Sequence, residues 1–403
     1  MTRRQLPRWD ELRDLVRLQR PEPNPTRRRL AAAHTIEDLR RAARRRVPRA
    51  VFDYVDGSAE TEASYRRARA AYETLELVPQ ALRDVSALTT STEILGAPSA
   101  LPVAFAPTGF TRLMHHAGEA AVARVAQRRG IPYAVSTLGT QTPEALRAAA
   151  PDARLWWQLY VWRDRAAGEE LMLRAEQAGY AALVLTVDVP VAGRRLRDVR
   201  NGLSIPPALT PRTVADMARH PAWWGNLLTT EPIDFAALAG WDGTIGDKLN
   251  ALFDPTMTLA DLEWIRSVWR GPLVVKGIQT VTDARAVIDA GADAIVLSSH
   301  GGRQLDRAPV PLRIVSEVRE ALGPDAEIIL DTGVMSGTDV VAALALGASS
   351  TLVGRAYLYG LMAGGEAGVE RVVDILDGEI RRTMALLGAA SVAELGPHHV
   401  RLA

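Results

Sequence analysis

"DAIVLSSHGGRQLD", residues 293–306, decides how the chain is read. Its first half is a short apolar run, Ala294 to Leu297, too brief for a helix and too continuous for a half-exposed strand; that is the pattern of a strand buried on both faces. Its second half sets His300, Gly301, Gly302 and Arg303 together where the strand ends. Two side chains able to carry positive charge, beside backbone without a Cβ, make poor core and a good seat for an anion.

The same unit repeats from about residue 101. Seven more runs stand out: "LPVAFAPT" (101–108), "IPYAVST" (131–137), "RLWWQLY" (154–160), "AALVLTVD" (181–188), "PLVVKG" (272–277), "AEIILD" (326–331) and "STLVG" (350–354). Stretches such as "GEAAVARVAQRRG" (118–130), "TDARAVIDAGA" (282–292) and "GTDVVAALALGA" (337–348) lie between them, with apolar residues at spacings of three and four. Apolar strands alternating with helices predict a parallel sheet covered on both sides, and eight such units predict a closed (β/α)8 TIM barrel. The alternative, a doubly wound open sheet, ordinarily carries a G-x-G-x-x-G turn after its first strand, and none is found.

Ahead of the barrel the sequence predicts a basic, proline-containing arm over residues 1–34, with "RPEPNPTRRR" (20–29) extended. A helix then starts in "HTIEDLRRAARRR" (34–46), with Thr35 as N-cap and Asp38 three residues on. One barrel domain is expected over residues 35–395. Within it, residues 189–271 include a lid-like insertion after the fourth strand, since connections of that length are usually functional. This insertion holds "IPPALTPRTV" (205–214) and the Trp223–Trp224 pair. The pair is read by default as packing, with a lid or a membrane-interface anchor as alternatives.

Composition narrows the function. With 403 residues, 47% apolar and 24% charged, the chain can bury a large core, and a net charge of +1 argues against a nucleic-acid binder. The absence of cysteine excludes disulfides, thiolate metal sites and cysteine nucleophiles. No signal-peptide pattern and no run of about 18 apolar residues is present, so the cytoplasm is the expected compartment. Residues 1–50 carry 15 arginines against six acidic residues. That excess reads as a solvated face, with peripheral contact to anionic lipid on the inner face of the plasma membrane as the alternative.

In a parallel barrel the chemistry sits at the C-terminal strand ends. There the eight runs deliver Thr108 and Gly109, Ser136, Gln158 and Tyr160, Thr186 and Asp188, Lys276, Ser298 and His300, Asp331, and Gly354 with Arg355. Any one has a dull explanation: Asp188 as a turn cap, Lys276 as a solvated lysine, His300 as a structural histidine. Their convergence on one rim is the signal. "DTGVMSGTD" (331–339), with Gly333, and "VGRAY" (353–357) place glycines where such barrels bind phosphate, although glycines also make tight turns. A phosphate there, with a lysine and polar groups across the mouth, suits flavin mononucleotide (FMN). Composition alone does not separate it from another phosphorylated ligand.

These residues give the chain a resemblance to the FMN-dependent α-hydroxy acid oxidase/dehydrogenase family, which includes glycolate oxidase and L-lactate dehydrogenase. "SSHGGRQLD" is similar to its active-site signature. The likeness extends through "FDYVDGSAE", "FAPTGF", "WQLYVW", "TVDVPVAGRRLRDVRNG", "VVKGI" and "LVGRAYLYGLMAGGEAGV", over roughly residues 35–395. Within the family the likeness is strongest to actinobacterial L-lactate dehydrogenases, through "RRLRDVRNGLSIPPALT" and the long insertion.

The resemblance implies FMN-dependent oxidation of an L-2-hydroxy acid, L-lactate to pyruvate above others. It implies His300 as the base, Asp188 as its partner, Arg195 and Arg303 on the substrate carboxylate, and Tyr54 and Tyr160 as further hydrogen-bond donors. Lys276 would face the flavin edge where negative charge develops. Thr108, Gly109, Ser136, Gln158, Thr186, Ser298 and Arg355 would hold ring and phosphate, with Asp331 and Gly354 on ribityl or phosphate. No metal is expected. Oxygen, a quinone and a cytochrome all stay open as electron acceptor, and a homo-oligomer, by analogy a tetramer, is expected.

Two departures from the family pattern stand out. Met335 occupies a position where glycolate oxidase-like members often carry arginine, so phosphate binding is expected to lean on Arg355 and backbone N–H groups; Leu138 occupies one where plant members carry tryptophan, which puts a glycolate preference in doubt and leaves lactate or a bulkier hydroxy acid open. An oxidase or monooxygenase acting on glycolate, a mandelate-like or a longer hydroxy acid is the alternative function. A dehydrogenase of the inosine monophosphate type on the same scaffold needs a cysteine nucleophile and is excluded. A non-catalytic flavin carrier is disfavoured by the joint presence of His300, Asp188, Arg195, Arg303, Tyr54 and Tyr160.

Overall fold

The structure, a computed structural model, describes residues 22–202, 210–236 and 254–402, together with Arg8, Trp9 and Arg13. Eight parallel strands close into a barrel: β1 Val103–Phe105, β2 Tyr133–Ser136, β3 Leu155–Leu159, β4 Ala182–Thr186, β5 Leu273–Ile278, β6 Ala294–Leu297, β7 Glu327–Leu330 and β8 Ser350–Val353. They follow one another round the ring in chain order, and β8 pairs with β1 to close it. The expected (β/α)8 barrel is the observed fold.

The period of two along each strand sorts the residues. Ala104, Ala134, Trp156, Ala182, Val184, Val274, Ala294, Val296, Ile329 and Leu352 form a separate apolar cluster that fills the barrel interior. Their alternates, such as Phe105, Tyr133, Trp157, Leu183, Val275 and Leu297, belong to the larger core under the surrounding helices. Two residues beyond the last inward apolar side chain of each strand come Thr108, Ser136, Gln158, Thr186, Lys276, Ser298, Asp331 and Gly354. The polar rim is therefore the top layer of the same inward register.

The other end of the barrel is plugged. An antiparallel hairpin, Thr92–Ile94 with Ala97–Ser99, inserts Ile94 into the interior cluster. Arg154 donates from below to the carbonyls of Ile94 and Ala97, at 3.3 and 2.8 Å.

One expectation is corrected ahead of the barrel. Residues 20–29 are expected to be extended, but the helix Pro25–Ala31 takes up the second half of that stretch. Asn24 caps it by accepting from the backbone N–H groups of Thr26 and Arg27, and Pro25 sits at the first helical position, where a missing N–H costs nothing. The next helix, Ile36–Arg44, has the expected capping box of Thr35 and Asp38. Past residue 395, Val400–Leu402 pairs antiparallel with Leu75–Leu77 in a two-stranded sheet separate from the barrel.

The long connection after β4 is only partly an insertion. Helix Leu259–Val268 is the crossover that a parallel β4–β5 pair requires. Before it lie helices Leu196–Arg200, Pro211–Ala218 and Pro221–Leu228. The first half of "IPPALTPRTV", residues 205–209, lies outside the described residues. Trp223 packs against the core and donates from Nε1 to the Leu113 carbonyl at 2.8 Å, as its default reading expects, whereas Trp224 is exposed. Among the described residues no helix is long and apolar enough to cross a membrane.

Candidate active site

A cavity of about 460 Å³ opens over the top layer of the barrel. Its wall includes Tyr54, Thr108, Gly109, Ser136, Tyr160, Arg195, Lys276, His300, Arg303, Asp331, Gly333, Gly354 and Arg355. The remaining predicted residues, Gln158, Thr186, Asp188 and Ser298, are not part of this wall; Gln158 accepts from Ser136, Asp188 pairs with His300 and Ser298 accepts from Lys276.

His300 follows β6 in a short 3-10 turn, His300–Gly302. Three successive residues there have positive φ: His300 at 54°, Gly301 at 63° and Gly302 at 72°. Both glycines are needed for space as well. A Cβ on Gly301 would lie 2.6 Å from Nη1 of Arg355, and one on Gly302 would lie 2.9 Å from the backbone nitrogen of Tyr65. The turn aims the imidazole back toward β4, where its Nδ1 lies 3.1 Å from Oδ1 of Asp188. Burial pushes the Asp188 carboxyl up, but the His300 charge and hydrogen bond and the Lys276 charge outweigh it, so its pKa is lowered and it stays a carboxylate.

Lys276 is buried at the end of β5. Its ammonium donates to Ser298 Oγ at 2.9 Å and pairs with Asp331 at 2.9 Å. Burial alone would lower its pKa; Asp331 and Asp188 more than offset this, and the group stays charged. Asp331 therefore does more than line the cavity, since it also neutralises the lysine.

At the opposite side the ring of Tyr54 lies between two guanidinium groups, with Arg195 at 5.6 Å and Arg303 at 4.9 Å from its centroid. Arg303 is fixed by the carbonyls of Tyr54 and Gly57. Burial, then the nearby Arg195, pull its pKa down to about 10, so it is charged at neutral pH but starved of a counter-ion. Arg195 is itself paired with Asp198 at 2.7 Å, so of these two half-buried cations Arg303 is the one whose charge favours an added anion. The Tyr160 phenol is pushed up by burial and by Asp188, so it remains a hydrogen-bond donor.

The segments carrying these groups are clamped by charge. Arg197 bridges Asp56 at 2.8 Å and Glu62 at 2.6 Å, joining the turn after Arg195 to helix Arg49–Asp56, which presents Tyr54. Arg40 and the Tyr359 hydroxyl also bind Asp56. Despite burial, the Arg40 contact holds the Asp56 carboxyl down to about 2.

Two residues that sequence reasoning missed organise the His300 loop. Gln304 accepts from the Gly193 N–H at 3.0 Å and donates to the Asp188 and Val191 carbonyls at 3.2 and 2.9 Å. Thr332 Oγ1 accepts from the N–H groups of Ser299 and Gly301. Gln304 stands inside "SSHGGRQLD", but only contact with residues over a hundred positions away gives it a role. Thr332 carried no signal beyond its place after β7.

Arg355 lines the cavity where phosphate was expected, yet most of its guanidinium is engaged. It donates to the carbonyls of Val55, Gly301 and Gly57 at 2.9, 2.9 and 2.8 Å, and to Ser58 Oγ at 3.0 Å. Of its five N–H groups one is left to point elsewhere.

Other features of the cavity fit FMN. Gln158 Nε2 and Thr186 Oγ1 are buried at the strand ends with no protein partner, which suits the polar edge of an isoalloxazine ring. Helix Arg355–Gly364 begins at the cavity after Gly354, and Gly333 lies across from it with φ 89°; unpaired N–H groups at such a terminus suit phosphate. A closed barrel with a polar top layer, a buried lysine and a helix terminus after β8 defines a flavin-type (β/α)8 oxidoreductase.

Comparison with known proteins makes this specific. The family model for FMN-dependent dehydrogenases matches residues 43–402. A Mycobacterium tuberculosis protein provisionally named L-lactate dehydrogenase is 57% identical over 397 residues, covering 98% of this chain and 96% of that protein. L-lactate dehydrogenase of Caulobacter vibrioides is 43% identical over 365 residues, 89% of this chain and 95% of that protein. Among solved structures, the monotopic membrane protein (S)-mandelate dehydrogenase superposes with TM-score 0.89 at 34% identity, covering 92% of this chain and 100% of its own. A mandelate oxidase gives 0.79 at 38%, covering 92% and 98%. The chain belongs to the FMN-dependent dehydrogenase family, and FMN is its cofactor.

Proposed function

We propose that this enzyme oxidises a small L-2-hydroxy acid to the 2-oxo acid, with L-lactate and pyruvate as the pair. The observation that carries the reading is one cavity holding a carboxylate-paired histidine, His300–Asp188, across from the cation pair Arg195–Arg303. The names of the relatives at 57% and 43% identity support lactate.

FMN, when bound, supplies the two-electron acceptor. The protein's own groups do the rest. Arg195 and Arg303 bind the substrate carboxylate through charge-assisted hydrogen bonds, relieving their mutual repulsion. Tyr54, held between them, and Tyr160 donate to the carboxylate and the reacting oxygen. His300 takes a proton at Nε2, the nitrogen not engaged by Asp188, and the Asp188 carboxylate stabilises the resulting imidazolium. Lys276 keeps a fixed positive charge in the low-dielectric barrel mouth, where it stabilises negative charge as it develops.

A second reading has its own support. Phe110, Leu138, Val189 and Ala192 make one side of the cavity apolar, and the superposed structures are of enzymes named for mandelate. An aryl-bearing hydroxy acid is the alternative substrate.

Peripheral membrane contact belongs to the same proposal. In helix Pro221–Leu228, "PAWWGNLL", no residue is buried, and Trp224 and Leu228 are exposed. The test of function is direct: the purified protein is yellow, and anaerobic L-lactate bleaches it while D-lactate does not. Bleaching by (S)-mandelate at a higher kcat/KM than by L-lactate selects the second reading, and bleaching by D-lactate alone overturns the stereochemical assignment.

A further inference from the structure

Thr332 stands in a conformation its side chain should avoid. It follows Asp331 at φ 81°, a region that glycine enters freely and that is a genuine outlier for a β-branched residue. Gly333 follows it at φ 89°, so the turn already contains one glycine. A second would remove the strain, and the chain carries threonine instead. Strain of this kind persists where the surroundings over-determine it, and it clusters at functional sites.

The surroundings show what the threonine does. Its side chain is buried, and Oγ1 accepts from the Ser299 N–H at 3.1 Å and from the Gly301 N–H at 3.2 Å, with Ser299 Oγ at 3.4 Å. These two amides flank His300, whose own N–H donates to Ser298 Oγ at 2.9 Å. Hydroxyl groups thus hold three successive amides of a turn whose central residue, His300, is itself forced to positive φ. Without the Thr332 hydroxyl, two amides of that turn would be buried without an acceptor, and the turn would relax toward ordinary backbone angles. The imidazole would then leave its 3.1 Å contact with Asp188.

We propose that Thr332 is a positioning residue for His300, a hydroxyl latch that keeps the strained turn and hence the imidazole on Asp188. This rests on His300 being the base, as read above.

The test compares Thr332→Ser, Thr332→Gly and Thr332→Val in the FMN-loaded enzyme, reading kcat, KM for L-lactate, bound flavin and Tm, with His300→Ala alongside. Thr332→Gly removes strain and latch together, so strain relief offsets the two lost acceptors in Tm, while kcat is expected to fall ~10–100-fold with KM and bound flavin nearly unchanged, the cost of misplacing a catalytic group by about 1 Å. Thr332→Ser keeps the hydroxyl and should retain kcat within about twofold, while Thr332→Val should fall with the glycine variant.

A fall in kcat at unchanged KM and bound flavin, restored by serine, is what a purely structural residue does not produce. Unchanged kcat in Thr332→Gly, or equal losses in the serine and glycine variants, would overturn the latch. Normal turnover in His300→Ala would instead overturn the base assignment, so the two failures are distinguishable.

Discussion

Gly277 lies directly against Asp188: a Cβ on this glycine would fall 2.7 Å from both Cβ and Cγ of the aspartate. Gly277 has φ 110° and sits at a bulge between Lys276 and Ile278, where β5 slips against β6. The bulge follows Lys276, which is still in register with β6, and it places a residue without a side chain where Asp188 packs. Gly277→Ala is therefore expected to lower kcat more than ~10-fold and to cost ~1–3 kcal/mol of stability through strain and clash. Steady-state kinetics with chemical denaturation of the same preparation checks both.

His300→Ala should keep its flavin and lose ~10²–10⁴-fold in the rate of anaerobic bleaching, the usual range for a general base. Asp188→Asn should also bleach at least ~10²-fold more slowly, because an amide neither fixes the Nδ1–H tautomer nor stabilises an imidazolium. Stopped-flow absorbance at the flavin band measures both, and normal bleaching in either variant removes that residue from the chemistry.

Arg303→Lys tests the carboxylate site without deleting its charge. A lysine cannot reproduce the planar fork or stack on Tyr54, so KM for L-lactate should rise ~10–100-fold, equivalent to losing one charge-assisted hydrogen bond. The same variant should weaken inhibition by an unreactive dicarboxylate such as oxalate in parallel. Unchanged KM would place the substrate carboxylate elsewhere.

Acid stability should depend on Asp56. Its carboxyl is held at about 2 in the folded chain against an ordinary 3.8, so its contribution is fully present above pH 4. That contribution is lost as the pH falls from about 4 toward 2, the sense expected for a depressed carboxylate, and amounts to roughly 2 kcal/mol. Asp56→Asn should lower stability at pH 7 and flatten its dependence on pH between 4 and 2. Denaturant melts at pH 7, 4 and 3 measure the slope.

Gln304→Ala cuts the contacts between the His300 turn and the segment from Asp188 to Gly193. Expected are a rise in KM and a fall in kcat of a few-fold to ~10-fold each, since both Asp188 and Arg195 lose a support while no reacting group is removed. Gln304→Glu should do worse than alanine, because a carboxylate cannot donate to the Asp188 and Val191 carbonyls.

The barrel was legible because its code is local. Short apolar runs separated by helical periods specify buried parallel strands, and the inward period of two carries each run onward to the residue that meets the cavity. Thr108, Ser136, Lys276 and Asp331 could be named for that reason alone, with Gln158, Thr186 and Ser298 in the same top layer behind the wall. Arg303 was legible beside His300 as part of an anion seat, but Tyr54 and Arg195 needed the family resemblance, since nothing in their own neighbourhoods says that they join it. Gln304 and Thr332 were illegible because their roles lie in hydrogen bonds to backbone far away in sequence. The helix at Pro25–Ala31 was missed by weighing its prolines as breakers, when Asn24 and Pro25 together make a start signal.

The hairpin that seats Ile94 in the bottom of the barrel makes the molecule a cup and not a tube. Layers of packed side chains from Ile94 up to Ala106 and Leu352 leave no route through the axis. Among the described residues, the reacting face of the site is therefore reached from the rim end of the barrel and not through its floor. The floor instead supplies rigidity: each packed layer fixes the strands whose next inward residue stands at the cavity.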